Sequence, residues 1–560
     1  MKKEVVTILH NATTAKLHEP SKELRRLISD MLSYQIKDMG NTGSTWDGYS
    51  TFFVARNNTF PAGFARLIRS KLQTLGHVVL LKSKDMPEPL GPEFPKVDDF
   101  PDDSRYDYQM QTVNRLLKFG GMIAQIATGG GKSRIFKLCA SRIQRPTLFI
   151  TTRKTLMYQM AEAFERDMGV KVGFLGDGKW SPNKRGVNFA IVDTLATRIK
   201  DIDPEEEVQK ELDRHYRKVE KKVEAEMRKA KLPYKPALIR SLPRSAREKI
   251  NGKMESIRAK FPINSKKMSI EVEDRIRNHN ARAKAIRDLL EGVDFLCLEE
   301  AHEVSGGEYF EIAQACKNAR YRLALTATPF MKQDEQANMR LMAATGPIGI
   351  QVTEKQLIDT GILAKPYFVF RSSPQAKGVH RGTAYQTAYA KGIVENEGRN
   401  KIIVKEVKRA VNAGVSCLIL IQRLDHADIL YSLLKSSGIK VKLLSGKDDQ
   451  TTRKATLDAL ERKTIDVIIG STILDVGVDV PSIGMIVIAG AGKAEVGQRQ
   501  RIGRGLRAKK KGANIAFILE FYDPGNNHLV RHSRERRRII DETPGFKEGI
   551  VSEFPYDLLD

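Results

Sequence analysis

Cysteine is scarce in this chain: Cys139, Cys297, Cys316 and Cys417 stand far apart in 560 residues. None shares the close spacing of a thiolate metal site, and a disulfide framework would need more cysteines at closer intervals. They read as reduced, buried thiols of a cytosolic protein. Long apolar runs are missing as well. None approaches the ~20 residues that span a bilayer. The opening MKKEVVTILHNATT has a basic start but no sustained apolar core, so neither a membrane span nor a signal peptide is expected. No short-period repeat is visible. Acidic residues are in deficit: 68 Asp and Glu face 94 Lys and Arg, a net charge of +26. Such an excess points to a polyanionic partner. With no membrane segment, the expectation is nucleic acid in the cytoplasm.

What is present is enough apolar residue, 41%, for globular cores. The length suggests several domains at ~150 residues each. Residues 1–100 form one region, ending in the Pro- and acid-rich KDMPEPLGPEFPKVDDFPDDS, which reads as a linker. Over 101–350, β-rich runs (GGMIAQIA, PTLFIT, GVNFAIVDT, VDFLCLEE, YRLALTAT) alternate with helix-length segments. A second series over 351–530 contains PYFVFR, SCLILIQ, IKVKLLSG, IDVIIGST, IGMIVIAG and ANIAFILEF, and 531–560 is a tail. Two such series predict two tandem parallel-sheet α/β domains. Residues 201–290 interrupt the first with 24 Lys/Arg, 16 Asp/Glu and few aromatics. They read as charged helices, either a solvated hairpin or an arm that grips nucleic acid.

The strongest local signal is Ile126-Ala127-Thr128-Gly129-Gly130-Gly131-Lys132-Ser133, between an apolar strand and the helical pattern RIFKLCASRI. Consecutive glycines let backbone N–H groups curl around phosphate oxygens where a side chain would clash. Lys132 would pair with the β and γ phosphates, and the Ser133 hydroxyl would bind Mg²⁺. The following helix adds its positive end. Ile126 stands where the leading glycine of such loops is usual, and a plain Gly-rich turn is the alternative.

A second strand ends in Glu299-Glu300-Ala301-His302. Chemistry in open α/β sheets sits beyond the carboxyl ends of strands. There Glu299 would hold Mg²⁺ while Glu300 orients and deprotonates the attacking water. His302 would sense the γ-phosphate. A solvent-exposed acidic strand end is the bland alternative.

In this order the residues resemble the superfamily 2 helicases with a DEAH-type box, over roughly residues 104–540 without the insertion. Their XPB-like branch, and within it the UvsW-type phage helicases, is the nearest resemblance. It rests on Ile126 before the glycines, on the ending HLVRHSRERRRIIDE, and more loosely on Thr45-Trp46-Asp47-Gly48 with PAGFARLIRSKLQTLGH. The last stretch is similar to a small DNA-binding domain ahead of the motor. The resemblance implies two tandem RecA-like domains, a small N-terminal α+β domain and a charged helical insertion. Arg105 and Tyr108-Gln109 resemble the adenine-recognising segment. Thr152-Arg153, with Gln159 further on, and Asp193-Thr194 resemble strand-following motifs of the first domain. Thr326-Ala327-Thr328-Pro329 resembles the motif coupling hydrolysis to domain movement. In the second domain Gln422-Arg423 with His426, and Ser445-Gly446, resemble strand contacts. Thr472, Gly477 and Asp479 resemble the segment joining strand and ATP sites. Gln500-Arg501-Ile502-Gly503-Arg504-Gly505-Leu506-Arg507 matches the family's closing motif. It makes Arg504 and Arg507 the arginine fingers, unless the segment is only a basic surface stripe.

The resemblance implies an ATP- and Mg²⁺-dependent DNA helicase or translocase. It would unwind and migrate branched or forked DNA in replication, recombination or repair, as a monomeric motor, in the host cytoplasm if of phage origin. An RNA helicase with the same motor, and a nucleic-acid-binding scaffold with a vestigial ATPase, are the competing readings. Two departures stand out. Glu299 replaces the family's Asp, and the 201–290 insertion lies outside the common motor.

Overall fold

Alternation of buried and exposed residues starts at the fifth residue. In β1 (Val5–His10), Val6 and Ile8 are buried while Val5 and Leu9 face outward, the two-residue period of a half-covered strand. The computed structural model describes residues 3–36, 48–98, 103–262, 265–301, 307–330, 334–445, 448–470, 483–490, 502–503, 505–509 and 512–559. β1 pairs with β2 (Thr14–His18); β3 (Ser33–Gln35) and β4 (Tyr49–Thr51) form a separate ribbon; β5 (Thr59–Pro61) and β6 (Val78–Ser83) complete a four-stranded sheet ordered β5-β2-β1-β6. Helices Lys22–Met31 and Ala65–Thr74 pack Leu24, Ile28, Ile68 and Leu72 on its inner face. This is a small α+β domain.

The Pro-rich stretch after β6 connects, and it is also fastened down. Leu90 N–H donates to Ile143 O at 3.1 Å, Gly91 N–H to Arg142 O at 3.1 Å, and Arg142 Nη1 returns a bond to Gly91 O at 2.7 Å. A Cβ on Gly91 would fall 1.8 Å from Ser141 O, so only glycine lets the strap lie this close to the helix end.

The first large sheet comprises β7 (Gly121–Ile126), β8 (Thr147–Thr151), β9 (Gly173–Gly176), β10 (Lys179–Ser181), β11 (Val187–Ile191), β12 (Phe295–Glu299), β13 (Tyr321–Thr326) and β14 (Ile348–Val352). Their order is β10-β9-β11-β8-β12-β13-β7-β14, parallel except for the edge hairpin β9–β10. Phe149, Phe189 and Phe295 are fully buried and cluster around Phe136 of helix Lys132–Ile143. Both faces are covered, which is why the central strands read as unbroken apolar runs. All four cysteines are buried and unpaired by disulfides, as expected of structural thiols.

The second sheet holds β15 (Lys365–Ser372), β16 (Cys417–Leu420), β17 (Val441–Leu444), β18 (Val467–Gly470), β19 (Met485–Ile488) and β20 (Ile515–Tyr522). It is wholly parallel, in the order β15-β20-β19-β16-β18-β17. The fold is thus α/β with two RecA-like domains in tandem. Among the described residues no helix is long and apolar enough to cross a membrane.

Residues 193–291 form a separate compact unit. Its first long helix, Pro204–Lys229, begins on the Asp203 side chain, which accepts from Glu205 N–H. Pro204 stands at the first turn, three glutamates follow, and Arg228 and Lys229 close the last turn, each end charged to suit the helix dipole. Helices Pro236–Arg240, Arg244–Arg258 and Ser265–Glu291 complete the unit.

Candidate nucleotide site and nucleic-acid contacts

Strand order decides what meets. β12, β13 and β7 are consecutive neighbours in the first sheet, so their carboxyl ends gather the Glu299-Glu300 pair, Thr326–Thr328 and the glycine loop. The loop leaves β7 through Ala127, whose N–H donates to Val352 O at 3.0 Å, and turns so that Gly130 N–H donates to Ala127 O at 3.0 Å. Gly129 (φ +93°) and Gly131 (φ +77°) lie in the left-handed region, closed to most side chains. A Cβ on Gly131 would stand 2.4 Å from Gln109 Nε2. Lys132 begins the helix, and Ser133 beside it is exposed.

Gln109 is buried and held on both sides. Its Nε2 donates to Gly130 O at 3.4 Å, and its Oε1 accepts from Arg134 Nη1 at 2.6 Å. Arg134 in turn donates to Asp98 Oδ1 at 3.1 Å. Tyr108 Oη donates to the same Gly130 O at 2.7 Å. Arg134 and Asp98 were not singled out by sequence reasoning. Their part depends on the strap meeting the helix, which no local pattern encodes. Arg105 is exposed and paired with Asp103 at 2.6 Å. With Tyr108, Gln111, Val352, Gln356 and Leu357 it lines a cavity of about 340 Å³, small-ligand sized.

Glu299 ends β12 with 6% of its surface exposed, and its carbonyl accepts from Tyr309 Oη at 3.0 Å. Its carboxyl is pushed up to about 8, first by burial and then by the neighbouring Glu300, with Lys132 opposing. Oε2 of Glu299 and Oγ1 of Thr328 are buried without a hydrogen-bond partner among the described residues. A buried carboxylate oxygen lacking a donor is costly unless a cation meets it, so Glu299 with Ser133 suits a divalent ion. Among the described residues no three His, Cys, Asp or Glu converge. Glu300 adopts φ +47° while its N–H donates to Leu325 O at 3.1 Å. A left-handed non-glycine residue at a strand end is backbone strain of the kind that gathers at functional sites.

The Glu299 shift has a sign that can be tested. Between about 4.5 and about 8 the native state keeps a proton that the unfolded chain has lost. Stability therefore falls as pH rises through that window, by at most ~1.4 kcal/mol per pH unit for one proton. In metal- and nucleotide-free protein, the melting temperature of the wild type should drop more steeply than that of Glu299→Gln; equal slopes would count against a buried, protonated Glu299.

The second domain reaches the loop. A Cβ on Gly503 would lie 2.8 Å from Thr128 Cβ, and one on Gly129 would lie 2.7 Å from Leu363 Cδ2. Arg507 Nη1 donates to Gly129 O at 3.5 Å. Leu363 is bridged to Arg507, and Ala364 N–H donates to Leu506 O at 2.6 Å. Arg507 thus lies against the loop that leads into Lys132. Leu363 and Gly503 carry no sequence signal of this contact, since it exists only once the domains dock.

The expected strand contacts fall on other strand ends. Thr152 and Arg153 follow β8, with Arg153 capping helix Lys154–Met168. Thr194 is in helix Val192–Arg198, at the start of the 193–291 unit. Arg423 and Ser445 follow β16 and β17, which flank β18. Arg423 is exposed and bonds Asp425 Oδ1 through Nε at 3.1 Å. His426 differs from expectation. It is fully buried, its Nε2 lies 2.9 Å from Asn400 Oδ1, and burial with Arg399 nearby lowers it to about 3; the ring is a neutral core group. Trp46, His302, Thr472, Gly477, Asp479, Gln500 and Arg504 lie outside the described residues.

Comparison with known proteins gives two family profiles in succession: "Type III restriction enzyme, res subunit" over residues 103–331 and "Helicase conserved C-terminal domain" over 398–509. The chain is 23% identical over 252 residues to putative helicase 22 of Sulfolobus islandicus filamentous virus, covering 42% of this chain and 43% of that protein. It is 24% identical over 265 residues to the ATP-dependent DNA helicase uvsW of Enterobacteria phage T4, covering 44% and 52%. The matches thus span about half of these relatives' lengths or less. The crystal structure of T4 UvsW aligns over 98% of both chains at 16% identity, with a TM-score of 0.41. A helicase C-terminal profile follows the restriction-subunit profile along the chain, on a pair of parallel α/β sheets, and the chain belongs to the superfamily 2 helicases.

Proposed function

We propose that this helicase is a monomeric DNA translocase that couples ATP hydrolysis to the unwinding and branch migration of forked or junction DNA, in recombination, repair or replication. The observation that carries the motor reading is the contact of Gly503 and Arg507 with the Thr128–Gly129 turn. A phosphate on that turn has a lysine from one domain and guanidiniums from the other.

The adenine base enters the cavity beside Arg105 and Tyr108, while backbone N–H groups of Gly129–Gly131 and the Lys132 ammonium take the phosphates. Ser133 and Glu299 would hold Mg²⁺, which when bound would supply charge neutralisation at the phosphate oxygens. Glu300 orients the attacking water and accepts its proton. Arg504 and Arg507 meet the charge that builds on the transferring phosphoryl group. Because they belong to the other domain, hydrolysis requires the cleft to be closed, and release reopens it. Thr152 and Arg153 on the first domain, and Arg423, Ser445 and Thr472 on the second, alternate their hold on the sugar-phosphate backbone, with Thr194 of the 193–291 unit as a further contact. Such contacts set position without reading sequence.

The preference for DNA draws on the likeness to a phage DNA helicase. The test is ATP turnover with a matched panel of four-way junction, fork, linear duplex and RNA. Junction or fork DNA should stimulate most. Strongest stimulation by RNA would replace this reading with an RNA helicase, and equal stimulation by linear and branched DNA would remove the branch-migration role.

A further inference from the structure

The charge of the helical insertion is divided along its length. Residues 228–262 carry 11 Lys and Arg against 2 Glu, whereas 201–227 and 268–290 together carry 11 against 14. The fold explains where this division lies. Helix Pro204–Lys229, at 26 residues, spans roughly 39 Å. The helix Ser265–Glu291 packs along its first half, where Arg275 bridges Glu207 and Glu211, both at 2.8 Å, and Asn280 Oδ1 accepts from Ile202 N–H. The shorter helices Pro236–Arg240 and Arg244–Arg258 fold back on its second half. They bury Ile239, Ile250, Met254 and Ile257 against Val219, Val223 and Met227. The fold-back ends with His215 Nε2 3.1 Å from Phe261 O. The insertion therefore has a base and a tip, each with its own packing.

The base behaves as a solvated charged hairpin should. Lys210–Glu206, Arg214–Glu211 and Arg277–Asp274 pair within a helix, and Arg287–Asp201 pairs between segments. The tip does not. Its ion pairs are Lys229–Glu226, Arg244–Glu248 and Arg258–Glu220, and two of these draw their acid from outside residues 228–262. Lys235, Arg240, Arg247, Lys249 and Lys253 are exposed and form no ion pair among the described residues. Concentrated like charge opposes folding unless a polyanion meets it, and a plain spacer has no use for it.

We propose that the tip of the insertion, residues 228–262, is a second nucleic-acid surface that binds the phosphate backbone of a double-stranded segment. The chemistry favours duplex over single strand. Binding of single strands relies on aromatic rings that stack bases, and the two aromatics of the tip are engaged. Tyr234 Oη donates to Glu220 Oε2 at 2.9 Å, and Phe261 lies under Lys222 Nζ at 3.9 Å from its ring centre. Long cationic side chains on a packed helical scaffold suit regularly spaced phosphates.

The test uses the full-length chain with Lys235, Arg240, Arg247, Lys249 and Lys253 all changed to Gln, titrated with duplex DNA over a range of salt. Each lost phosphate contact removes ~0.9 from the log–log slope, so the slope should fall by ~2 or more and low-salt duplex affinity at least ~10-fold. Turnover at saturating DNA should stay unchanged, and so should the slope of the charge-conserving Lys235→Arg, Lys249→Arg, Lys253→Arg variant. If the five changes together disturb folding, Lys235→Gln with Arg240→Gln, outside the longer tip helix, should still lower the slope by ~1. An unchanged slope in a variant that melts like the wild type would overturn the proposal. So would a loss on oligo(dT) equal to or greater than that on duplex. Neither outcome bears on branched-DNA preference, which is read from the turnover panel instead.

Discussion

Lys132→Ala is expected to abolish ATP turnover, by at least ~10³-fold, while leaving nucleic-acid binding largely intact. Two effects combine. Lys132 is the first residue of its helix, set by Gly131 in a left-handed cap, so its backbone is fixed at the mouth of the loop. It also holds the Glu299 carboxyl down against burial and Glu300. Without it, Glu299 keeps its proton more firmly and becomes a poorer cation ligand, so phosphate binding and metal binding are lost together. The proposed strand contacts, such as Arg153 after β8 and Arg423 after β16, follow other strands and remain. Phosphate release with saturating DNA, beside a binding titration, checks both halves. Wild-type turnover by the variant would remove the loop from the ATP site.

Arg504→Ala should slow hydrolysis by ~10³-fold or more with only a modest loss of ATP affinity. Arg504 itself lies outside the described residues, but Gly503 before it packs on Thr128 and Arg507 after it bonds Gly129 O. Charge on the transferring group grows toward the transition state, so the loss belongs in the rate constant and not in ground-state binding. Single-turnover hydrolysis at saturating ATP and DNA separates the two. An unchanged rate would argue against a finger role, and a large rise in KM at constant rate would make Arg504 a binding residue only.

Much of this architecture could be read from the chain before any coordinates. The apolar runs around Ile123, Phe149, Phe295 and Leu323 mark strands buried on both faces, because parallel strands under helices have no solvent side. The glycine loop and the Glu299-Glu300 pair were visible because phosphate and cation chemistry demand particular residue types at adjacent positions. What escaped depends on distance along the chain. Gly503 against Thr128, Leu363 against Gly129, and Asp98 behind Arg134 and Gln109 are contacts that arise only after docking. The edge hairpin β9–β10 is short, with Lys179, Trp180 and Ser181 all exposed, and leaves no apolar period to detect. His426 shows the reverse error. A histidine beside Arg423 suggests a surface contact, yet the first turn of helix Leu424–Ser436 points it inward to Asn400. In the insertion the uneven charge is plain in the sequence, but a base and a tip emerge only when Arg244–Arg258 folds back along Pro204–Lys229.

The central claim is that one nucleotide is served by both sheets at once. The most direct measurement is an experimental structure with a non-hydrolysable ATP analogue and DNA bound. The account predicts the terminal phosphate within hydrogen-bond reach of Lys132 Nζ on one side and of the Arg504 and Arg507 guanidiniums on the other. A terminal phosphate contacted from the first domain alone, with both arginines turned to solvent, would contradict it.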